Sequence, residues 1–457
     1  MTAGKELAGL DAKVREVMQR LGVPGVALGI LRDGQVAEHG YGVASLETEQ
    51  PVTPATLFQI GSISKVYTAT LVMRLVQDGK LDLDTPVATY LPELRLADPE
   101  AQQQITLRHL LTHTSGLEGD RFDDYGMGDD ALAKAIAEFN TLPQQTRPGE
   151  LWTYCNAGFY LTGRVIERVL DTSYEAAMRE WIFQPLGLEH SFFFAHEAIV
   201  YPAAVGHKEQ EPESVAHEIV RAYPLPRCVN AAGGIISTTG DLLRFAAFHL
   251  NGGKVGDERI LSPELVAAMQ EPQTEAGSFA DHYGLGWSLR TIDGRKVVSH
   301  GGTTNGFNAD LALVPEADFA VALLTNSSRG HTAMNEILDW IWEQALGMRQ
   351  REPERVAQTP EQLATYAGEY RQRHGQMMIG VQDGGLQADL VMRSPLDGEE
   401  TALPPIRMEP LGGGRFIVAD GDAKGSRVEF IPGEGTPRWV RFGGRLSRRA
   451  EPEAVAR

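Results

Sequence analysis

A chain of 457 residues with 42% hydrophobic and 23% charged side chains is globular and long enough for two domains, one of them large. Its net charge of −19, with no long basic run, argues against nucleic acid or an anionic membrane as partner, and no apolar run reaches the roughly 18–20 residues that span a bilayer. Two cysteines, Cys155 and Cys228, exclude a disulfide scaffold and disfavour a cysteine-built zinc site; a small buried thiol is a better reading of Cys155 than a nucleophile.

The N-terminal stretch carries Leu7, Leu10, Val14, Val17, Met18 and Leu21 at helical spacing, with no h-region of a signal peptide. Taken as the natural start, Met1 then predicts a cytoplasmic protein. "GVALGILRDGQVAEHGYGVAS" reads as a β-hairpin turning at Asp33-Gly34. A helix is predicted from about Ser62 to Gln77, with Gly79 as its C-terminal glycine. From about 81 to 250 the pattern is mostly helical, with long loops. Strands return at Gly284–Leu289 and Lys296–His300, then in "ADLALVP" and "DFAVALLTN", and an amphipathic helix closes this part near Leu346. The expected architecture is α/β of the α+β kind: one antiparallel sheet flanked by helices, plus a mostly helical lobe, with a cleft between them. Residues 1–347 form this domain, 348–360 a linker without an apolar face, and 361–447 a small all-β sandwich or barrel. Residues 448–457 are expected to be a disordered tail.

Within that frame, Ser62 and Lys65 stand three apart at the start of the predicted helix. Side chains at i and i+3 share a helix face with Cβ atoms roughly 5–6 Å apart, so a bent lysine reaches the hydroxyl. A serine is a poor nucleophile until a base removes its proton, and a lysine serves as base only when uncharged. Burial and the positive end of a helix favour the uncharged amine, and free N–H groups at that end suit an oxyanion. Alone, this spacing is weak evidence.

Two further stretches sharpen it: "PGELWTYCNAGFYLTG", with Tyr154 and Asn156, and "VVSHGGTTNGF", with His300, Gly301 and Gly302. With "GSISK", "ITLRHLLTHTSGL" and "AAGGIISTTGDLLRFA", they make the chain resemble the serine β-lactamase and penicillin-binding-protein superfamily over about residues 5 to 346. The likeness is nearest to the branch of class C β-lactamases, D-aminopeptidases and esterases. That superfamily carries Ser-x-x-Lys, Tyr-x-Asn and Lys/His-x-Gly in this order. The resemblance implies a serine hydrolase that works through an acyl-enzyme on amide, peptide or ester substrates and needs no cofactor or metal. Ser62 would be the nucleophile and Lys65 its base. Tyr154 would move the leaving-group proton, with Lys65 and His300 sharing that proton or favouring the phenolate. Asn156 would bind the acyl side of the substrate and help position Lys65, and the N–H groups of Ser62 and Thr303 would form the oxyanion hole. Gly301 and Gly302 let a strand edge approach substrate, while Thr303, Thr304 and Asn305 are either substrate contacts or ordinary turn residues. Histidine at 300, where many β-lactamases have lysine, makes penicillin hydrolysis a side activity at best.

Acyl transfer to an amine, as in macrocyclising penicillin-binding-type thioesterases, and a non-catalytic penicillin- or peptide-binding sensor are the alternative readings. The C-terminal part resembles the lipocalin-like barrels attached to some family members, and homo-oligomerisation stays open. His109 and His113 are read as structural rather than as a metal pair, and the acidic loop "GDRFDDYGMGDD" as a solvated loop at the cleft mouth rather than a calcium site. No Gly-x-Ser-x-Gly occurs, which disfavours an α/β-hydrolase elbow.

Overall fold

The predicted hairpin forms from Gly25–Arg32 (β1) and Gln35–Gly42 (β2), turning at Asp33 and Gly34, whose φ values of 50° and 71° are left-handed. The computed structural model describes residues 3–210, 216–393, 399–421 and 423–451, and from residue 9 onward their side chains, so Met1, the Leu7 side chain and 452–457 of the expected tail lie outside it. Six further strands join the hairpin: Thr274–Glu275 (β3), His282–Tyr283 (β4), Ser288–Ile292 (β5), Arg295–Thr304 (β6), Phe307–Val314 (β7) and Phe319–Thr325 (β8). They make one antiparallel sheet in the order β2-β1-β8-β7-β6-β5-β4-β3. The strand expected at Gly284–Leu289 is displaced. Gly286, with φ 83°, turns the chain there, and regular pairing begins only at Ser288.

Each face of the sheet is covered. On one side, helices Ala3–Leu21 (α1) and Gly330–Leu346 (α5) bury Leu10, Val14, Val17, Ile337 and Ile341 against Val26, Val321 and Leu323. On the other side lies the helical lobe, whose helices Ser64–Gln77 (α2), Asn156–Leu170 (α3) and Thr239–Leu250 (α4) share a larger core with Ala309, Leu311 and Leu324. Nearly every residue of α2 is buried, polar ones included, so it runs through the centre of the domain rather than along its surface. Each large apolar side chain buried here stabilises the fold by about 1.5–3 kcal/mol relative to exposure.

Past Leu346 the chain crosses to a closed barrel of eight antiparallel strands between Gly368 and Arg449. The first strand pairs with the last, Tyr370 opposite Arg449, so no sheet edge is left open. Phe416, Phe430, Tyr370, Leu386 and Val440 fill its interior. Arg448 and Arg449, assigned from sequence to the tail, instead belong to the strand that closes it, because their backbone completes the ladder. The crossing segment is anchored at both ends: Met348 is buried against the α1/α5 core, and the Val356 N–H donates to Pro410 O at 2.9 Å. Among the described residues, no helix is long and apolar enough to cross a membrane.

Candidate active site

Ser62 lies in a single 3-10 turn, Gly61–Ile63, just before α2, so the helix opens two residues later than predicted. Gly61, at φ 53°, bends the chain into this turn, which runs directly on into α2. Lys65 follows within the first turn of α2 and is wholly buried, while Ser62 is only half-buried. Lys65 Nζ lies 3.1 Å from Ser62 Oγ and donates to Ala232 O at 2.6 Å. That carbonyl belongs to "AAGGIISTTG", which also ties down Ser64: Ile235 N–H donates to Ser64 Oγ at 3.0 Å. Burial first, then the positive charge of Arg445, drive the Lys65 amine well below its ordinary value of 10.5, against opposing effects of Asp120 and Cys155.

The strand β6 brings the third motif against this turn. A Cβ added to Gly302 would fall on Ile60 O and within 2.9 Å of Ser62 N; one added to Gly61 would lie 2.7 Å from Thr303 N. The Ser62 and Thr303 amides are therefore neighbours, and glycine at 61 and 302 is what permits it. Gly301 points to the opposite face, where an added Cβ would meet nothing nearer than 3.6 Å. The side chains expected to bind substrate beyond it are partly engaged. Thr303 Oγ1 donates to Asn308 Oδ1 at 2.8 Å across the β6–β7 hairpin, and Asn305 Nδ2 donates to Ala222 O at 2.9 Å, which ties the hairpin's turn to a neighbouring segment.

Tyr154 lies over Lys65, with Nζ 4.9 Å from its ring centre, and its phenol lies beside Ser62. Burial raises the phenol well above its ordinary 10, more than Ser62 and Arg445 lower it, which favours the neutral phenol of the two forms considered. His300 does not share its proton. Its Nδ1 donates to Gly301 O at 2.6 Å, which leaves Nε2 to accept from the Tyr283 hydroxyl at 3.0 Å. Burial, then Lys65, push His300 down to about 3, so this imidazole is uncharged at neutral pH.

Asn156 departs furthest from expectation. Its amide Nδ2 donates to Asp120 Oδ1 at 2.6 Å, and Lys65 is positioned by Ala232 O instead. Asp120 in turn accepts from Arg445, through Nε at 2.7 Å and Nη2 at 3.4 Å, and Arg445 comes from the barrel. Its guanidinium lies 4.8 Å from the Tyr154 ring centre. Burial pushes the Asp120 carboxyl up, but the charge and hydrogen bonds of Arg445, with that of Asn156, more than offset it and keep Asp120 ionised. Neither Asp120 nor Arg445 carried a sequence signal: each looked like one charge among many, in the acidic loop and in a polar hairpin.

The rest of that loop is organised by cations of the chain itself: Asp123 pairs with Arg121, Asp129 with Arg227 and Asp130 with Lys134. His109 Nδ1 takes the Thr106 N–H at the start of a short helix, and His113 Nδ1 accepts the Cys155 N–H at 3.1 Å. His113, read from sequence as structural, packs against Tyr154 with ring centres 4.2 Å apart and planes tilted by 31°. The Cys155 thiol is raised to about 11 by burial and stays protonated, which suits a packing role.

Known proteins give this geometry its class. A sequence model of the Beta-lactamase family matches residues 10–346. Penicillin-binding protein 4 of Amycolatopsis lactamdurans is 35% identical over 367 residues, covering 77% of this chain and 94% of that protein. The crystal structure of SurE superimposes with a TM-score of 0.78 at 26% identity over 98% of this chain and 99% of its own, and SurE with D-Leu gives 0.74. The octameric penicillin-binding protein homologue from Pyrococcus abyssi gives 0.66 at 26% identity, covering 96% of this chain and 99% of its own. The chain belongs to the Beta-lactamase family and is a serine hydrolase of that family.

Proposed function

We propose that the protein is an acyl-enzyme hydrolase of amides, peptides or esters, with Ser62 as nucleophile and Lys65 as base. The observation that carries this reading is a fully buried amine, its pKa driven down, 3.1 Å from a half-exposed hydroxyl. Uncharged Lys65 takes the Ser62 proton as Oγ attacks the substrate carbonyl. The oxyanion takes the Ser62 and Thr303 N–H groups, fixed before substrate arrives. Tyr154, protonated at the outset, gives its proton to the leaving group and regains one from the Lys65 ammonium. Water, deprotonated by the regenerated base, then releases the acid. Asn156, held by Asp120, stands beside Tyr154 and Lys65, and His300 holds the Tyr283 hydroxyl near Tyr154.

The uncharged His300 offers no cation to a substrate carboxylate at that position, which supports weak penicillin hydrolysis. The likeness to SurE, crystallised with D-Leu, supports peptides containing D-residues as substrates. Ser62→Ala and Lys65→Ala are expected to abolish turnover of p-nitrophenyl acetate, while wild type favours D-aminoacyl anilides and esters over nitrocefin. Undiminished turnover by purified Ser62→Ala protein would sink the proposal. Release of product without subsequent turnover would favour the sensor. Mass spectrometry of products from a peptidyl thioester separates a linear acid from an amide made by transfer.

A further inference from the structure

We propose that Arg445 is a positioning residue of this site: carried in by the barrel, it fixes Asn156 through the shared Asp120 carboxylate, so that the site is complete only when the barrel is docked. This inference rests on the hydrolase reading above and assigns the barrel a part in the reaction.

The hairpin that bears Arg445 is built against the Tyr-x-Asn segment residue by residue. Tyr154 N–H donates to Gly444 O at 2.8 Å and Leu446 N–H to Thr153 Oγ1 at 3.3 Å, so the backbone on both sides of Arg445 is bonded to the segment that presents Tyr154. A second turn of the barrel grips Asp120 from behind: His374 Nε2 donates to Asp120 O at 2.6 Å, and the Arg373 N–H donates to the neighbouring Glu118 carboxylate. Asp120 is thus held by main chain and side chain alike. Three of the Arg445 donors are placed: Nε and Nη2 on Asp120, and Nη1 on Gly443 O at 3.0 Å. A charged acceptor fixed from two sides orients an amide better than a neutral one, because its hydrogen bonds are shorter and stronger.

The pair also acts on Lys65. The titratable groups around that amine are Tyr154, Cys155, His113, His300, Asp120 and Arg445. Four of them are uncharged at neutral pH. Arg445 and Asp120 remain as the charges, one opposing the ammonium and the other favouring it. Removing either therefore unbalances the base, in opposite directions.

The experiment measures pH–rate profiles of the full-length chain with p-nitrophenyl acetate, which bears no carboxylate for Arg445 to bind. Arg445→Gln is expected to lower kcat by about tenfold or more at neutral pH, with KM changed by less than about threefold, and to move the acid limb to higher pH. Asp120→Asn moves that limb to lower pH, Arg445→Lys falls between wild type and Arg445→Gln, and the double variant returns the limb toward wild type while kcat stays low. NMR of ε-13C-lysine reads Lys65 protonation in the same proteins whether or not the ester is turned over. Ser62→Ala controls separately test the hydrolase reading. An Arg445→Gln protein that melts like wild type and keeps its kcat and acid limb would overturn the proposal, as would an effect confined to KM, which would make Arg445 a substrate receptor. Should Arg445→Gln fail to fold, the direction of the Asp120→Asn shift decides: an unmoved or raised limb overturns it.

Discussion

At the scale of single residues, this chain buries bases that must stay uncharged to be useful. Lys65 is the clearest. Its folded pKa lies below the unfolded 10.5, so the unfolded state binds the extra proton between those two values and stability rises with pH there. Lys65→Met removes that dependence. Its unfolding free energy should change less between pH 7 and 9 than that of wild type, and it should lack esterase activity; denaturant melts across that range check both. Histidines titrate the other end. His249, buried between Phe245 and Trp287, and His300 are both lowered to about 3 from 6.5 by burial. Below pH 6.5 the unfolded histidines take protons that the folded ones refuse, so each costs about 1.4 kcal/mol per pH unit on acidification toward 3. His249→Leu lies outside the site and is expected to flatten the acid limb of the stability profile with little change in kcat.

Elements set how near these residues come. The strand β6 and the turn before α2 touch through two positions without side chains, Gly302 and Gly61, and that contact places the Ser62 and Thr303 amides together. Gly302→Ala forces the strand off Ile60 and should lower kcat by about a hundredfold or more, the scale of losing one oxyanion donor. Gly301→Ala meets only ordinary neighbours at 3.6 Å and should leave the melting temperature near that of wild type, whereas Gly302→Ala lowers it. The Gly-Gly pair could be read from sequence as a place of close approach. Which of the two makes the approach could not, because a strand's faces are assigned only once its register on β7 is known.

For the whole molecule, the barrel is not an appendage. Trp152, Tyr154, Phe279 and Tyr283 form an aromatic cluster beneath its last hairpin, and Arg441 lies over Trp152. Gly444, at φ 78°, enters this cluster where an added Cβ would lie 3.2 Å from Phe279 and 3.3 Å from Trp152. Gly444→Val should therefore loosen the docked hairpin and depress kcat in the manner of Arg445→Gln, with Trp152 fluorescence reporting the exposure. Nothing in the sequence of the hairpin foretold this. "RFGGRLSRR" reads as a polar turn between short strands, which it is, and its partner lies across a domain interface.

The three-residue spacing of Ser62 and Lys65 brings the pair within reach, the period-2 runs pair into the expected sheet and barrel, and the three motifs in order carry the family; so much follows from local spacing and pattern. The protonation states of Lys65, Tyr154 and His300, the capture of Asn156 by Asp120, and the entry of Arg445 from 325 residues away were decided only by folding. Charge placement depends on which side chains lose water together, and that is a property of the packed chain rather than of any segment of it.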